Sequence, residues 1–168
     1  MWVDRHGLYG DARLERYAMI VFCARKWGLT ACLTRIVHFG PLGDELRAKE
    51  AAVQRIARRI IDATRPGTAL AAVYTDALLP AYAAEGFADE VALHHQGGST
   101  GYAGRDARVT DLTPGSVRPN QAFAWNPSIT GVKSEDTIIV TPNGAEMITA
   151  DPVWPLDDAT GLPRILVR

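Results

Sequence analysis

Cysteine is scarce in this chain. Cys23 and Cys32 are the only two among 168 residues, so no disulfide framework is implied. No apolar run approaches the roughly 20 residues needed to span a bilayer. An excess of charge of one sign is missing as well: 18 Lys and Arg stand against 19 Asp and Glu, a formal net charge of -1. That balance leaves no electrostatic footprint for nucleic acid or an anionic membrane surface. The opening Met-Trp-Val-Asp-Arg-His lacks the charged-then-apolar order of an export signal. A soluble cytoplasmic protein is the expectation. Repeats and low-complexity linkers are absent, which leaves a single α+β domain over 1–168, and 47% hydrophobic residues supply its core.

Residues 1–16 are polar and glycine-punctuated, a loop or short helix leading in. Tyr17 to Arg25 and Leu29 to Val37 are apolar, aromatic and branched, as buried strands are. With Lys26 and Trp27 as the two loop residues of a hairpin, Arg25 would pair with Gly28 and Val21 would face Cys32. Leu42 to Thr64 is the clearest helix. Leu46, Val53, Ile56, Ile60 and Ile61 recur at helical spacing, with Arg47, Lys49, Arg55, Arg58 and Arg59 as a solvated face. Asp44 suits its N-terminal dipole and Arg65-Pro66-Gly67 ends it. A second helix is expected over Thr68 to Glu85, capped by Thr68, closed by Gly86 and bent or broken by Pro80. Short strands follow near Ala92 to Gln96, Gln121 to Asn126, Thr137 to Thr141 and Ala145 to Thr149. Pro142-Asn143-Gly144 turns between the last two, and Ile165-Leu166-Val167 reads as a docking strand.

Three marks stand in the second half: His-His-Gln-Gly-Gly at His94 to Gly98, the Asn126-Pro127 step, and Ser-Glu-Asp-Thr at Ser134 to Thr137 opening an apolar strand. In this order, after a hairpin ending Thr34-Arg35 and two helices divided by Pro66-Gly67, they resemble the pita-bread fold over about residues 17–150. That is the superfamily of creatinase, the proline-directed aminopeptidases and dipeptidases, and methionine aminopeptidase. The resemblance implies a truncated pita-bread fold: a curved antiparallel sheet with two main helices packed on one face. It lacks the usual N-terminal domain and the two helices before the hairpin, for which 16 residues leave no room. An uncovered apolar sheet face would then favour a homo-oligomer.

Family members hold two divalent metals with two hairpin aspartates, a histidine and two glutamates, and the metals activate a water for attack on an amide. The resemblance maps these ligands onto Val21, Cys32, His95, Asn126 and Glu135, so only His95 and Glu135 keep their type. The family's catalytic histidine, seven residues beyond the ligand histidine, becomes Tyr102. The expectation is therefore no metal cofactor, and two divalent ions only if the ligand positions lie elsewhere. Creatinase resembles these peptidases in fold and hydrolyses a guanidino compound without metal, through histidine and glutamate.

His95 and Glu135 are accordingly the candidate catalytic pair, with His95 as acid or base and Glu135 fixing its tautomer. Burial for structure alone is the competing reading. Cys32 could be a nucleophile with Asn126 orienting the His95 imidazole, or a small core residue. His94, Gln96, Tyr102, Arg105, Asn126 and Cys32 are candidate substrate contacts. Gly97, Gly98, Gly101 and Gly104 let backbone approach a ligand, and Arg105 could grip a carboxylate or pair with Asp106 or Glu135. Lys133 is either a pocket cation or a surface residue, Trp125 a core or pocket wall, and Arg35 a structural ion-pair partner. The leading expectation is a pocket for a small-molecule amide, guanidino or short-peptide ligand with metal-independent hydrolysis. One alternative is a non-catalytic binding module, as in chromatin factors resembling these peptidases. Another is a metal-dependent Xaa-Pro-type aminopeptidase or dipeptidase.

Overall fold

In the computed structural model, which describes residue 11 and residues 13–168, the chain opens with a long hairpin. Most of the entry segment expected over residues 1–16 lies outside the described residues. Strands β1 (Tyr17–Lys26) and β2 (Leu29–His38) pair antiparallel from Tyr17↔His38 to Lys26↔Leu29. The two-residue loop is therefore Trp27-Gly28, one residue later than the sequence suggested. Both loop residues have positive φ, 53° at Trp27 and 84° at Gly28, the combination that a right-handed hairpin twist demands. The shift of one loop residue places Val21 opposite Thr34 and brings Cys23 opposite Cys32.

Helix α1 (Asp44–Ala63) has Asp44 and Glu45 in its first turn. It buries Val53, Ile56, Ala57, Ile60 and Ile61. Its basic face carries solvated ion pairs: Lys49 with Glu45, Arg58 with Asp62, and Arg55 with Glu85. Glu50 and Gln54 are buried on the inner face, where Glu50 accepts the Ile165 N–H and Gln54 donates to the Pro163 carbonyl. These two residues tie the C-terminal tail to the helix.

The second helical region is less regular than its pattern suggested. A short α2 (Leu70–Ala72) widens into a π-helical segment over Val73–Leu78 and then continues as α3 (Leu79–Ala84). Its N-cap is Ala69 rather than Thr68, and no side chain caps it. Pro80 is the second residue of α3, directly after the π-helical segment, so the region changes helix type ahead of the proline and does not end there.

The strand expected at Ala92 to Gln96 is displaced. Ala88–Leu93 forms a 3-10 helix, His94 is extended, and β3 runs over Gly97–Thr100. With β4 (Ala107–Arg108), β5 (Ala122–Trp125), β8 (Asp136–Thr141) and β9 (Gly144–Met147) it makes an antiparallel sheet in the order β4-β3-β5-β8-β9. A small hairpin joins β6 (Ser128–Ile129) and β7 (Val132–Lys133). The tail docks as foreseen, with β10 (Leu166–Val167) pairing with β2, though in parallel.

A single bridge, Thr34↔Glu135, joins β2 to the residue ahead of β8, and the two sheets continue one another there as a curved surface. The helices cover one face, where Ile56, Ile60, Tyr82, Phe123, Trp125 and Ile138 make the densest core. Trp125 stacks on Phe123 with ring centroids 5.6 Å apart. By contrast β1 leaves Met19, Ile20, Val21 and Phe22 exposed. Among the described residues no helix is long and apolar enough to cross a membrane.

Candidate functional site

Glu135 is the centre of the candidate site. Its position just before β8 and opposite Thr34 buries its side chain to 3% exposure. One carboxylate oxygen accepts from the Arg105 guanidinium at 2.8 Å. The other accepts from Lys133 Nζ at 2.7 Å and from the Thr34 hydroxyl at 2.6 Å. Burial would push this carboxyl up, but Lys133, the Thr34 hydroxyl and Arg105 outweigh it and hold the pKa down at about 2. Two side-chain cations thus face one carboxylate, so the cluster carries a net positive charge. Of the alternatives open to Arg105, pairing with Glu135 is the one adopted, while Asp106 accepts from the Ala103 N–H.

Lys133 and Glu135 are two residues apart in extended chain and so share a face. That periodicity was a legible signal for Lys133 as a site residue; nothing comparable pointed to Thr34. Behind Glu135, Arg35 pairs with Asp136 at 2.8 Å and also donates to the Thr149 and Thr34 carbonyls, the structural role expected of it.

Cys32 lies beside this cluster. Its N–H donates to the Thr137 hydroxyl and its carbonyl accepts from that same hydroxyl, both at 2.8 Å. Its Sγ lies 3.7 Å from the Gly104 carbonyl, one residue from Arg105. Burial foremost, then contact with Cys23, pushes the Cys32 thiol up to about 11 against the pull of Arg105. A thiol so raised is a poor nucleophile near neutral pH. The cross-strand neighbour of Cys32 is Cys23, so the hairpin register does not support Val21 as the facing position.

The remaining candidates form a second group. The His94 and His95 rings stack with centroids 4.4 Å apart. Asn126 Nδ2 approaches His94 Nδ1 at 3.4 Å, so the imidazole it orients is His94. His95 is held neutral: burial first, then His94, Arg105, Arg108 and Lys133, lowers its pKa to about 3. Gln96, expected among the ligand contacts, is 2% exposed, and its amide is committed to Tyr82, to the Val91 carbonyl and to the His94 carbonyl. Tyr102 stands 78% exposed on the loop between β3 and β4, outside the buried cluster.

Gly97 and Gly98 lie between β4 and β5 with φ of 112° and 154°. A Cβ on Gly98 would overlap the Ala107 carbonyl, and one on Gly97 would overlap the Ala124 carbonyl. Their small size serves backbone packing inside the sheet. Among the described residues, no group of three or more His, Cys, Asp and Glu is placed to hold a metal ion.

The arrangement is similar to several solved structures. A dipeptidase, PepE, from Mycobacterium ulcerans matches 98% of this chain and 43% of its own, with a TM-score of 0.79 and 22% identity. A dipeptidase from Pyrococcus horikoshii matches 99% and 46%, with a TM-score of 0.81 and 16% identity. The N-terminal domain of the FACT complex subunit SPT16 from Cicer arietinum matches 89% and 40%, at 0.70 and 16%. The chain thus spans less than half the length of these proteins, and at such identities the likeness shows the pita-bread fold alone. No curated protein matches the sequence. The model of metallopeptidase family M24 matches residues 5–142, which takes in the hairpin, both helical regions, His95, Asn126 and Glu135; the chain belongs to that family.

Proposed function

We propose that this chain is a peptidase-like binding module that takes a short peptide-like ligand and does not hydrolyse it by two-metal chemistry. The observation that carries this reading is the engagement of both Glu135 oxygens by Arg105, Lys133 and Thr34. Two hard divalent cations call for several anionic oxygens. The positions matched to the family's ligands offer a thiol at Cys32, a neutral amide at Asn126 and one carboxylate already neutralised by protein cations. This donor set does not fit the metal pair, and adding positive charge beside Arg105 and Lys133 is unfavourable.

Metal-free hydrolysis finds little support either. With pKa values of about 3 and about 2, His95 and Glu135 are weak bases near neutral pH. The polar atoms that a ligand entering behind the cluster would meet are Asn126 Oδ1 and Arg105 Nε. Both are closed to solvent and without a hydrogen-bond partner among the described residues, so entry requires the Arg105 loop to open. One is an acceptor and the other a cationic donor, the complement of an amide N–H and a carbonyl or carboxylate. Self-association through Ile20 and Phe22, on the face of β1 opposite Cys23, belongs to the same reading, and Phe22→Glu should then give a monomer by size-exclusion chromatography.

The test is calorimetry of chelator-treated protein with the dipeptide Ala-Pro as probe, alongside an assay for released proline. Binding without turnover is expected, weakened about tenfold or more in Arg105→Ala, equivalent to at least ~1.4 kcal/mol. Turnover that a chelator abolishes, with two manganese ions bound per chain, would overturn the proposal.

A further inference from the structure

Cys23 and Cys32 face each other directly across the β1–β2 hairpin. Their pair type follows from where the β2 backbone groups point. The Cys32 N–H and carbonyl both go to the Thr137 hydroxyl, the Thr34 N–H goes to the Glu135 carbonyl, and the Thr30 N–H goes to the Gly101 carbonyl. Thr30, Cys32 and Thr34 therefore turn their backbone groups away from β1, and Cys23↔Cys32 is a non-hydrogen-bonded pair. In such pairs the Cα atoms lie about 4.5 Å apart and the side chains approach most closely. That separation falls at the short end of the roughly 4.4–6.8 Å that a disulfide can bridge.

From this geometry we propose that Cys23 and Cys32 are a redox site, closing reversibly into a cross-strand disulfide by exchange with a low-molecular-weight disulfide. The difference in exposure orders the chemistry, since Cys23 is exposed and Cys32 buried. The Cys23 thiolate attacks the small disulfide RSSR, forming a mixed Cys23–S–S–R bond and expelling RS⁻. Cys32 is a poor nucleophile toward outside reagents, but here the target sulfur is held directly across the strand pair. Cys32 gives up its proton, attacks the Cys23 sulfur, forms the Cys23–Cys32 bond and expels the second RS⁻. The two thiol protons end on the two RSH products, so one small disulfide is reduced as the pair is oxidised. The same exchange runs backward when the small thiol RSH is in excess, so the site is reversible. Closure also withdraws the Cys32 S–H from the Gly104 carbonyl, next to the arginine that grips Glu135. The thiol state of the hairpin thereby reaches the Arg105 loop.

The test equilibrates the reduced protein in glutathione buffers of rising oxidised fraction, with intact mass and thiol count as readouts. The expected product is a monomer lighter by two hydrogens, with both thiols lost together at one midpoint and recovered on reduction. Cys23→Ser should keep a protected Cys32 thiol, and Cys32→Ser should stop at a glutathione adduct on Cys23. A stable glutathione adduct in the unmodified protein, an intermolecular dimer, or a Cys32 thiol that survives full oxidation would each overturn the proposal. Mass is the readout, so the result is independent of whether any peptide binds.

Discussion

Replacing Glu135 by Gln keeps the size of the side chain and removes its charge, leaving Arg105 and Lys133 without their shared anion. Those side chains are 10% and 8% exposed, so water can compensate only in part. Breaking a buried ion pair by removing one partner costs about 3–5 kcal/mol. The carboxyl gives a second route to the size of the effect. Its pKa falls from 4.5 to about 2 on folding, and at about 1.4 kcal/mol per pKa unit that is roughly 3 kcal/mol. Because the folded pKa is depressed, this stability is fully present above pH 4.5 and is lost as the pH falls toward 2. Urea unfolding of both proteins at pH 7 and about pH 3.5 measures the two quantities. Glu135→Gln is expected to lose about 3–5 kcal/mol at pH 7, with the gap narrowing by about 1–2 kcal/mol at the lower pH. Adding Lys133→Met should recover part of the loss, since one orphaned cation is then gone. A loss under about 1 kcal/mol at pH 7, or a gap that ignores pH, would refute the idea that Glu135 is the counter-ion of this cluster.

His95 acts in the same direction by the opposite route: it is neutral when folded, with a pKa lowered from 6.5 to about 3, so the unfolded chain takes up its proton first. Stability from this residue is present above pH 6.5 and drains away toward pH 3, and His95→Gln should flatten the fall in Tm between pH 7 and pH 4. Gly98→Ala forces a Cβ against the Ala107 carbonyl, and far-UV circular dichroism should find little folded protein. Gly28→Ala meets no neighbour and costs only the strain of φ +84°, about 1–2 kcal/mol by urea unfolding. Thr137→Val preserves shape but strands the N–H and carbonyl of Cys32, and about 2–4 kcal/mol should be lost in the same measurement.

What was legible beforehand is what local pattern determines. Both hairpin strands, α1, the β8–β9 hairpin and the docking tail follow from apolar periodicity and turn residues within short windows. The hairpin register differs by one residue because local pattern leaves open whether Lys26 or Gly28 joins Trp27 in the loop; the glycine takes that place at φ 84° and Lys26 closes β1. β3 was misplaced for a similar reason. Gly97 and Gly98 read as loop residues, and only the nearness of β4 and β5 explains glycines inside a strand. Glu50 and Gln54 gave no sign of being buried, because their partners lie more than a hundred residues away at Ile165 and Pro163. The candidate site divided along the same line. Cys32, Arg105 and Glu135 are each candidates on the sequence alone, and Glu135 is among the partners it leaves open to Arg105. That both oxygens of Glu135 would be occupied could not be read from spacing, since Thr34 arrives from a strand a hundred residues earlier.

The side-chain clamp at Thr137 sets an order of opening. Between β2 and β8 the backbone ladder shrinks to one bridge among the described residues, where a continuous ladder joins β5 to β8. Side chains make the rest of the join: the Thr137 hydroxyl on Cys32, the Thr34 hydroxyl on Glu135 and Arg35 on Asp136. Amide hydrogen exchange should therefore find the β1–β2 hairpin detaching as a unit at a lower free energy than the β3-β5-β8 centre. Each such opening exposes Cys32, so the rate at which an alkylating reagent reaches that thiol becomes a clock for the hairpin's departure.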